Sequence, residues 1–445
     1  MDVKDKKLEN AKMELQVEVP QDKVEEEYKK VFKSIQQKAK IDGFRQGKVP
    51  INIIEQRFHD IADNEAAENL LKAAYFDVLN EKGYTPIGPP EFDFDSIDRN
   101  KPFTCTITFE VPPTVELHDY KGLSAEQQNA KVTDQDIQRE VEELRDKHAT
   151  ISKKEDDGVV EKGDQVAVQM KRIDNVDKEE VDSVEYRPFT LVVGKSKEDY
   201  AIDKDLPGMK VGDEKEIKVK YPKDYSVDEL KGQKVTYLVK IDEINKRDLP
   251  ELDDEFAKDL GEYETLDEMK SKIRENLEKY VEEKSKADVK SKLLREIVEN
   301  STFDIPETMI SKEMESIFQR VQQRVGYFAQ DINEFASVLN MDVNELSEKI
   351  REEAVNSIKT TLVLAEIAKK EELQASEEEY KKVIQQIAEK NERPVEEIEE
   401  LVKEKGSREN IENELVLDSA LDYIYDNAQV KQKKPVSVEE FMKQE

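Results

Sequence analysis

Ile41-Asp42-Gly43-Phe44-Arg45-Gln46-Gly47-Lys48-Val49-Pro50 is the stretch from which the chain is best read. Two glycines four residues apart interrupt helical and strand periodicity alike and predict a bend. Pro50 closes the loop and suits the first turn of a following helix. Turned outward, Phe44, Arg45 and Lys48 would grip a polyanionic surface with one ring and two cations. The alternative is a basic surface loop whose Phe44 folds back into the core.

The charge around the loop separates it from the rest of the chain. Residues 28–48 hold seven cations against Asp42 alone, a local +6, in a chain of 445 residues with net charge −33. So acidic a body repels nucleic acid as a whole, leaving one small basic face to touch RNA in a single orientation. Lys29, Lys30, Lys33 and Lys40, on a helix expected over 22–40, would support that face; the same lysines also suit a plain solvated helix face. The single cysteine, Cys105, excludes a disulfide within the chain and fits a reducing cytosol. No apolar run follows Met1, and no segment approaches a membrane span, so neither a signal peptide nor membrane insertion is expected. His59, His118 and His148 are scattered, so no metal site is expected. The chain has no G-x-x-x-x-G-K-[ST] loop, so no nucleotide and no other cofactor is expected.

Read in order, residues 1–113 form a small α+β domain. Met13, Leu15, Val17 and Val19 alternate as a strand, Val24, Tyr28, Val31, Phe32 and Ile35 recur at helical spacing, and a third helix ends at Gly83. Pro86–Pro90 reads as a turn, after which Phe103, Cys105, Ile107 and Phe109 face one way along a strand. Residues 114–150 are a connector whose helix starts with Thr133 and Asp136, an acidic capping box, and shows a narrow stripe that must pack on another domain. Residues 151–247 carry short alternating runs and Gly-containing turns, an antiparallel β domain with one short helix near 198–206. Residues 248–445 are helical, with a Thr265/Glu268 capping box. Long amphipathic helices in so charged a sequence suggest extended arms. The stripe Met309, Met314, Ile317, Phe318 and Val321 suits a helix core; its methionines equally suit an adaptable client-binding face.

Gly43-Phe44-Arg45-Gln46-Gly47-Lys48-Val49-Pro50 resembles the G-F-R-x-G-K-x-P signature of the trigger factor family, bacterial ribosome-associated chaperones. Leu249-Pro250-Glu251-Leu252, with Glu255-Phe256 and Gly261, is similar to the start of that family's C-terminal domain. The resemblance covers essentially the whole chain. It implies an α+β multidomain fold: a ribosome-binding α+β head, an FKBP-like antiparallel β domain and an extended helical C-terminal domain. It implies docking of Gly43, Phe44, Arg45, Gly47 and Lys48 on the large ribosomal subunit, protein and rRNA, near the exit tunnel. It further implies a cytoplasmic, ATP-independent holdase for nascent and unfolded polypeptides, and a homodimer off the ribosome.

The family's β domain is a peptidyl-prolyl isomerase, which must lower a barrier of about 20 kcal/mol by favouring the twisted amide in a dry aromatic pocket. Here the chain departs from the pattern. The aromatic-x-Gly segment reads Met170-Lys171-Arg172, the Phe-acidic pair reads Val181-Asp182, and Ile-Pro-Gly-Phe reads Asp199-Tyr200-Ala201-Ile202. Phe189, Tyr225 and Tyr237 still match aromatic positions. Weak or absent isomerase activity is therefore expected, with the β domain retained as chaperone surface. A chain that is primarily a prolyl isomerase with chaperone arms is the alternative; aromatics at Met170, Val181 and Ile202 would have favoured it. A periplasmic chaperone with similar arms fits less well, lacking a signal peptide and having no use for the loop.

Overall fold

The computed structural model describes residues 2–155, 158–174, 184–196, 201–225, 227–326, 329, 331–339 and 341–443. The chain forms two compact units: Met1–Gln127 with Lys286–Lys433, and Gln128–Ser285 with Lys434–Glu445.

In the first unit, β1 (Asp2–Lys7) and β2 (Lys12–Val19) form a hairpin. Then follow α1 (Gln21–Lys38), α2 (Ile51–Arg57) and α3 (His59–Lys82), and the strands β3 (Ile87–Phe94) and β4 (Phe103–Glu110). The four strands make an antiparallel sheet in the order β1-β2-β4-β3. The predicted periodicities hold: Leu15, Val17, Ile107 and Phe109 are buried against Val24, Tyr28, Phe32, Leu71 and Tyr75 in one cluster. Gly83 terminates α3 at φ 71°, where a side chain would be strained. Two strands were not expected. β1 is almost wholly exposed and has no apolar alternation to announce it. β3 contains Gly88-Pro89-Pro90, read as a turn; a bulge between Ile87 and Glu91 absorbs them and pairing resumes beyond.

The segment after the head alternates between the units. β5 (Thr114–Glu116) and β6 (Ser124–Gln127) belong to the first, and β7 (Ala130–Lys131) and α4 (Asp134–Lys147) to the second. The capping box is present: the Thr133 N–H and hydroxyl both donate to Asp136 Oδ2, at 2.9 and 2.6 Å. The second unit continues with β8 (Thr150–Lys153), β9 (Gln165–Arg172), β10 (Arg187–Val192), β11 (Glu214–Lys220) and β12 (Lys234–Asp248). These form a five-stranded antiparallel sheet, β10-β9-β12-β11 with β8 also on β12, around Val166, Val168, Ile217, Val239 and Ile241. The predicted short helix is a 3-10 turn, Ile202–Asp205. α5 (Asp254–Asp259) and α6 (Leu266–Asn300) come next. The thin stripe of α4, Ile137 and Val141, packs on Phe256, Ala257, Met269 and Ile273. At the start of α6 the Glu268 N–H donates to Thr265 Oγ1 as the sequence predicts, but the Glu268 carboxylate accepts from Glu264 N–H, one residue short of a full box.

The rest of the first unit is β13 (Thr302–Asp304), α7 (Glu307–Val325), α8 (Ile332–Val338), α9 (Val343–Lys370), α10 (Glu377–Lys390), α11 (Val395–Glu404), α12 (Arg408–Asp426) and β14 (Gln429–Gln432). β13 pairs with β5, and β14 runs parallel to β6. β15 (Val436–Ser437) and α13 (Val438–Met442) return to the second unit, where β15 pairs with β7. Among the described residues no helix is long and apolar enough to cross a membrane.

Candidate functional site

The loop 41–50 is two reverse turns in tandem. Phe44 N–H donates to Ile41 O at 3.1 Å, and Lys48 N–H to Arg45 O at 2.9 Å. Gly43 (φ 91°) and Gly47 (φ 76°) each occupy the third position, where a type II turn needs positive φ. The loop is anchored from both ends: Ile41 and Val49 are buried in the head core. Gln36 on α1 donates to Val49 O at 2.6 Å, and Gln46 reaches back to Gln37 O at 3.3 Å. Gln46, one of the two variable positions of the motif, is thus a brace that no local pattern announced.

With its flanks buried, the loop turns Phe44, Arg45 and Lys48 outward, the phenylalanine 42% exposed. The apolar side chains that fold into the core are Ile41 and Val49, not Phe44. Arg45, Lys48, Lys33 and Lys40 make no ion pair or side-chain hydrogen bond among the described residues. Lys29 and Lys30 differ: they pair with Glu25 at 3.2 Å and Glu27 at 2.9 Å, so much of their field is neutralised on α1 itself. The free positive field therefore lies at the loop end of the helix, not along its length.

The β domain carries a cavity of about 520 Å³ lined by Met170, Leu191, Ile202, Asp203, Tyr221 and Tyr237, among others. Met170, Ile202 and Tyr237 converge there as the sequence suggested. Phe189 does not: β10 is an edge strand, the ring is 48% exposed, and it lines a neighbouring groove with Arg172, Arg187 and Glu229. Tyr225 is not a wall of the cavity but packs its ring 4.6 Å from that of Tyr221. Val181 and Asp182, like Asp199 and Tyr200, lie outside the described residues.

Several lining residues were not expected, among them Leu191, Tyr221 and Asp203. Tyr221 meets Tyr237 hydroxyl to hydroxyl at 3.0 Å, and burial pushes its phenol upward from the ordinary range. Its place at the end of an alternating run was the available signal. Asp203 is buried, with Oδ2 accepting from Gly194 N–H at 2.8 Å and Ser196 N–H at 3.2 Å, while Oδ1 has no hydrogen-bond partner among the described residues. Nothing local distinguishes it from a surface aspartate. The cavity suits one small apolar side chain. Among the described residues its walls are a thioether, aliphatic groups and two phenols, with a carboxylate behind.

On α7, Ile317 is fully core, packed with Ile310, Phe335 and Ile350, and Phe318 meets Phe335 edge-on at 5.5 Å. Met309, Met314, Phe318 and Val321 are half-buried at the rim of that cluster. Of the proposed client face, these four retain accessible surface and Ile317 does not.

Comparison with known proteins matches all three parts in order. The family described as bacterial trigger factor protein matches residues 1–144, its C-terminus matches 265–426, and the FKBP-type peptidyl-prolyl cis-trans isomerase family matches 157–242. Trigger factor of Halothermothrix orenii is 31% identical over 430 residues, 96% of this chain and 100% of that protein. Trigger factor of Bacillus licheniformis is 34% identical over 429 residues, again 96% and 100%. A solved structure of the trigger factor chaperone covers 96% of this chain and 99% of its own at TM-score 0.51 and 22% identity, a likeness of fold. With matches that run end to end and the signature loop built as two anchored turns, the chain belongs to the trigger factor family.

Proposed function

We propose that this protein is a cytoplasmic, ATP-independent chaperone that docks beside the exit tunnel of the large ribosomal subunit through loop 41–50 and holds nascent chains. The observation that carries the proposal is the pair of anchored turns presenting Phe44, Arg45 and Lys48 with no partner for either cation among the described residues. Arg45 can fork onto phosphate or carboxylate, Lys48 adds a point charge, and Phe44 can stack or wedge. An acidic body discourages any second contact with RNA, so a small foothold also sets orientation. The head would dock, the helical body would hold clients on the rim formed by Met309, Met314, Phe318 and Val321, and off the ribosome the same faces would serve a homodimer. Co-sedimentation of ribosomes with wild type and with Phe44→Ala/Arg45→Ala/Lys48→Ala tests the docking. The variant is expected to stay in the supernatant; equal pelleting overturns the reading.

The β domain is proposed to act chiefly as added chaperone surface. Met170 and Ile202 stand where the family places aromatics, and Asp203 brings a buried carboxylate to the wall. A proline tetrapeptide assay is expected to show turnover far below that of FKBP-type enzymes, and ordinary turnover would refute this assignment.

A further inference from the structure

β3 is an edge strand, and its two halves are protected very differently. At the start, Gly88-Pro89-Pro90 and the bulge interrupt the strand, and a side chain at Gly88 would press on Thr308 at 3.3 Å. From Glu91 to Phe94 the strand is regular, paired on β4 and exposed in part at every residue, and no backbone hydrogen bond reaches its outer edge among the described residues. Edges of this kind are normally blunted by lysine, proline or a bulge, because unpaired N–H and C=O groups recruit another strand. Here proline and bulge stop at residue 90, and beyond it the device is charge alone, the carboxylates of Glu91, Asp93 and Asp95, which repel an acidic strand and not a basic one.

The side chains on the open half are Glu91-Phe92-Asp93-Phe94-Asp95. Alternation places Phe92 and Phe94 on one face and the carboxylates of Glu91 and Asp93 on the other. Phe92 lies edge-on to Tyr75 at 6.0 Å and Phe94 edge-on to Phe103 at 5.6 Å, yet they remain 37% and 42% exposed. Phe76, whose ring is 5.7 Å from that of Tyr75, is 61% exposed beside them. Glu91, Asp93 and Asp95 have no ion-pair partner among the described residues, and the cations nearest in sequence are already committed, Arg99 to Glu55 and Lys101 to Asp98.

We propose that the open edge of β3 binds an extended segment of another polypeptide, alternating basic and apolar residues, as a fifth strand of the head sheet. Backbone pairing supplies affinity without demanding a sequence, the aromatic face takes the apolar side chains, and the carboxylate face selects the basic ones. Charge complementarity also excludes a second copy of this strand, which would set carboxylate against carboxylate. The edge shares no residue with the docking loop or with the β-domain cavity, so variants of either leave it intact.

The test uses the full-length protein and a short dye-labelled peptide alternating lysine with phenylalanine and valine. Two further probes are the same peptide N-methylated at alternate residues and its glutamate-for-lysine counterpart. Saturable binding of the first is expected, with amide exchange slowed within residues 91–95. The N-methylated and acidic peptides should bind at least about tenfold more weakly, and Glu91→Lys/Asp93→Lys should weaken the first peptide about tenfold, the scale of turning two cross-strand attractions into repulsions. Should that variant melt early, the exchange map and the three peptides on wild type decide alone. Absent binding, equal affinity for the N-methylated peptide, or protection confined to other elements overturns the proposal. So does protection of 91–95 that rises with protein concentration and needs no peptide, which would assign the edge to a second copy.

Discussion

A side chain added at Gly43 would meet nothing within 4 Å, yet the residue sits at φ 91°, where a Cβ clashes with its own backbone. The glycine is there for conformation, not for space. Gly43→Ala should cost the turn about 1–2 kcal/mol, lowering the fraction that pellets with ribosomes while the melting midpoint moves by only a few degrees. Leu15 is the opposite case. It has no exposed surface in the head core, so Leu15→Ala should cost about 2–5 kcal/mol in urea denaturation and leave the loop's chemistry unchanged. Cys105 shares that core, and burial pushes its thiol up to about 11. It should resist thiol reagents at neutral pH until the head unfolds, which timed labelling in denaturant would show. Residues whose role is intrinsic, such as Gly43, Gly47, Pro50 and the core alternation, were legible in sequence. Gln46, Tyr221 and Asp203 were not, because each takes its role from a partner that only folding supplies.

The connector is held to the helical body by a compact polar knot. Glu371, at the C-terminus of α9, accepts from Tyr120 at 2.6 Å and Tyr423 at 2.5 Å and pairs with Lys121 at 2.7 Å, whose ammonium also lies over both rings. The Lys121 contact first, then the two phenols, hold the Glu371 carboxyl down at about 2, against an ordinary 4.5. A depressed acid stabilises the fold fully above its ordinary value and loses that contribution as pH falls toward the folded one. The segment 114–127 should therefore loosen between about pH 4.5 and 2. Limited proteolysis or the Tyr120 and Tyr423 ring resonances across that range would register it. Glu371→Gln should release the segment already at neutral pH and flatten the pH response. Helix starts such as Thr133/Asp136 were readable because a cap and its target lie three residues apart. β13, β14 and β15 were not, since each is a few residues long and exists only because a distant strand pairs with it.

Within the first unit, the head sheet and the helical body exchange carboxylates. Asp304, beside α7, accepts the Ala11 N–H in the β1–β2 turn and pairs with Lys7 at 2.8 Å. Glu110, buried at the end of β4, accepts the Thr308 N–H at 3.0 Å, serving the first turn of a helix that follows Pro306 and has no side-chain cap of its own. Ala11 is held at φ 53°, a conformation alanine avoids, and the bond to Asp304 helps explain its persistence. Glu110→Gln and Asp304→Asn should each speed amide exchange both in the turn 8–12 and in the first turn of α7. In a double-mutant cycle the two should be non-additive; simple additivity would mean that the two contacts act separately. By itself the sequence determined the order of the parts, the bend at Gly43 and Gly47 and the helical and strand periodicities. Those features depend on residues within a few positions of one another, where backbone sterics and side-chain period act directly. Only the tertiary structure decided that β1 and β3 complete the head sheet, that Lys29 and Lys30 are paired with glutamates, that Phe189 leaves the cavity, and that a glutamate from the head serves the first turn of α7. Each depends on groups brought together across tens or hundreds of residues, and no local pattern encodes which distant partner will satisfy an exposed edge or an unpaired N–H.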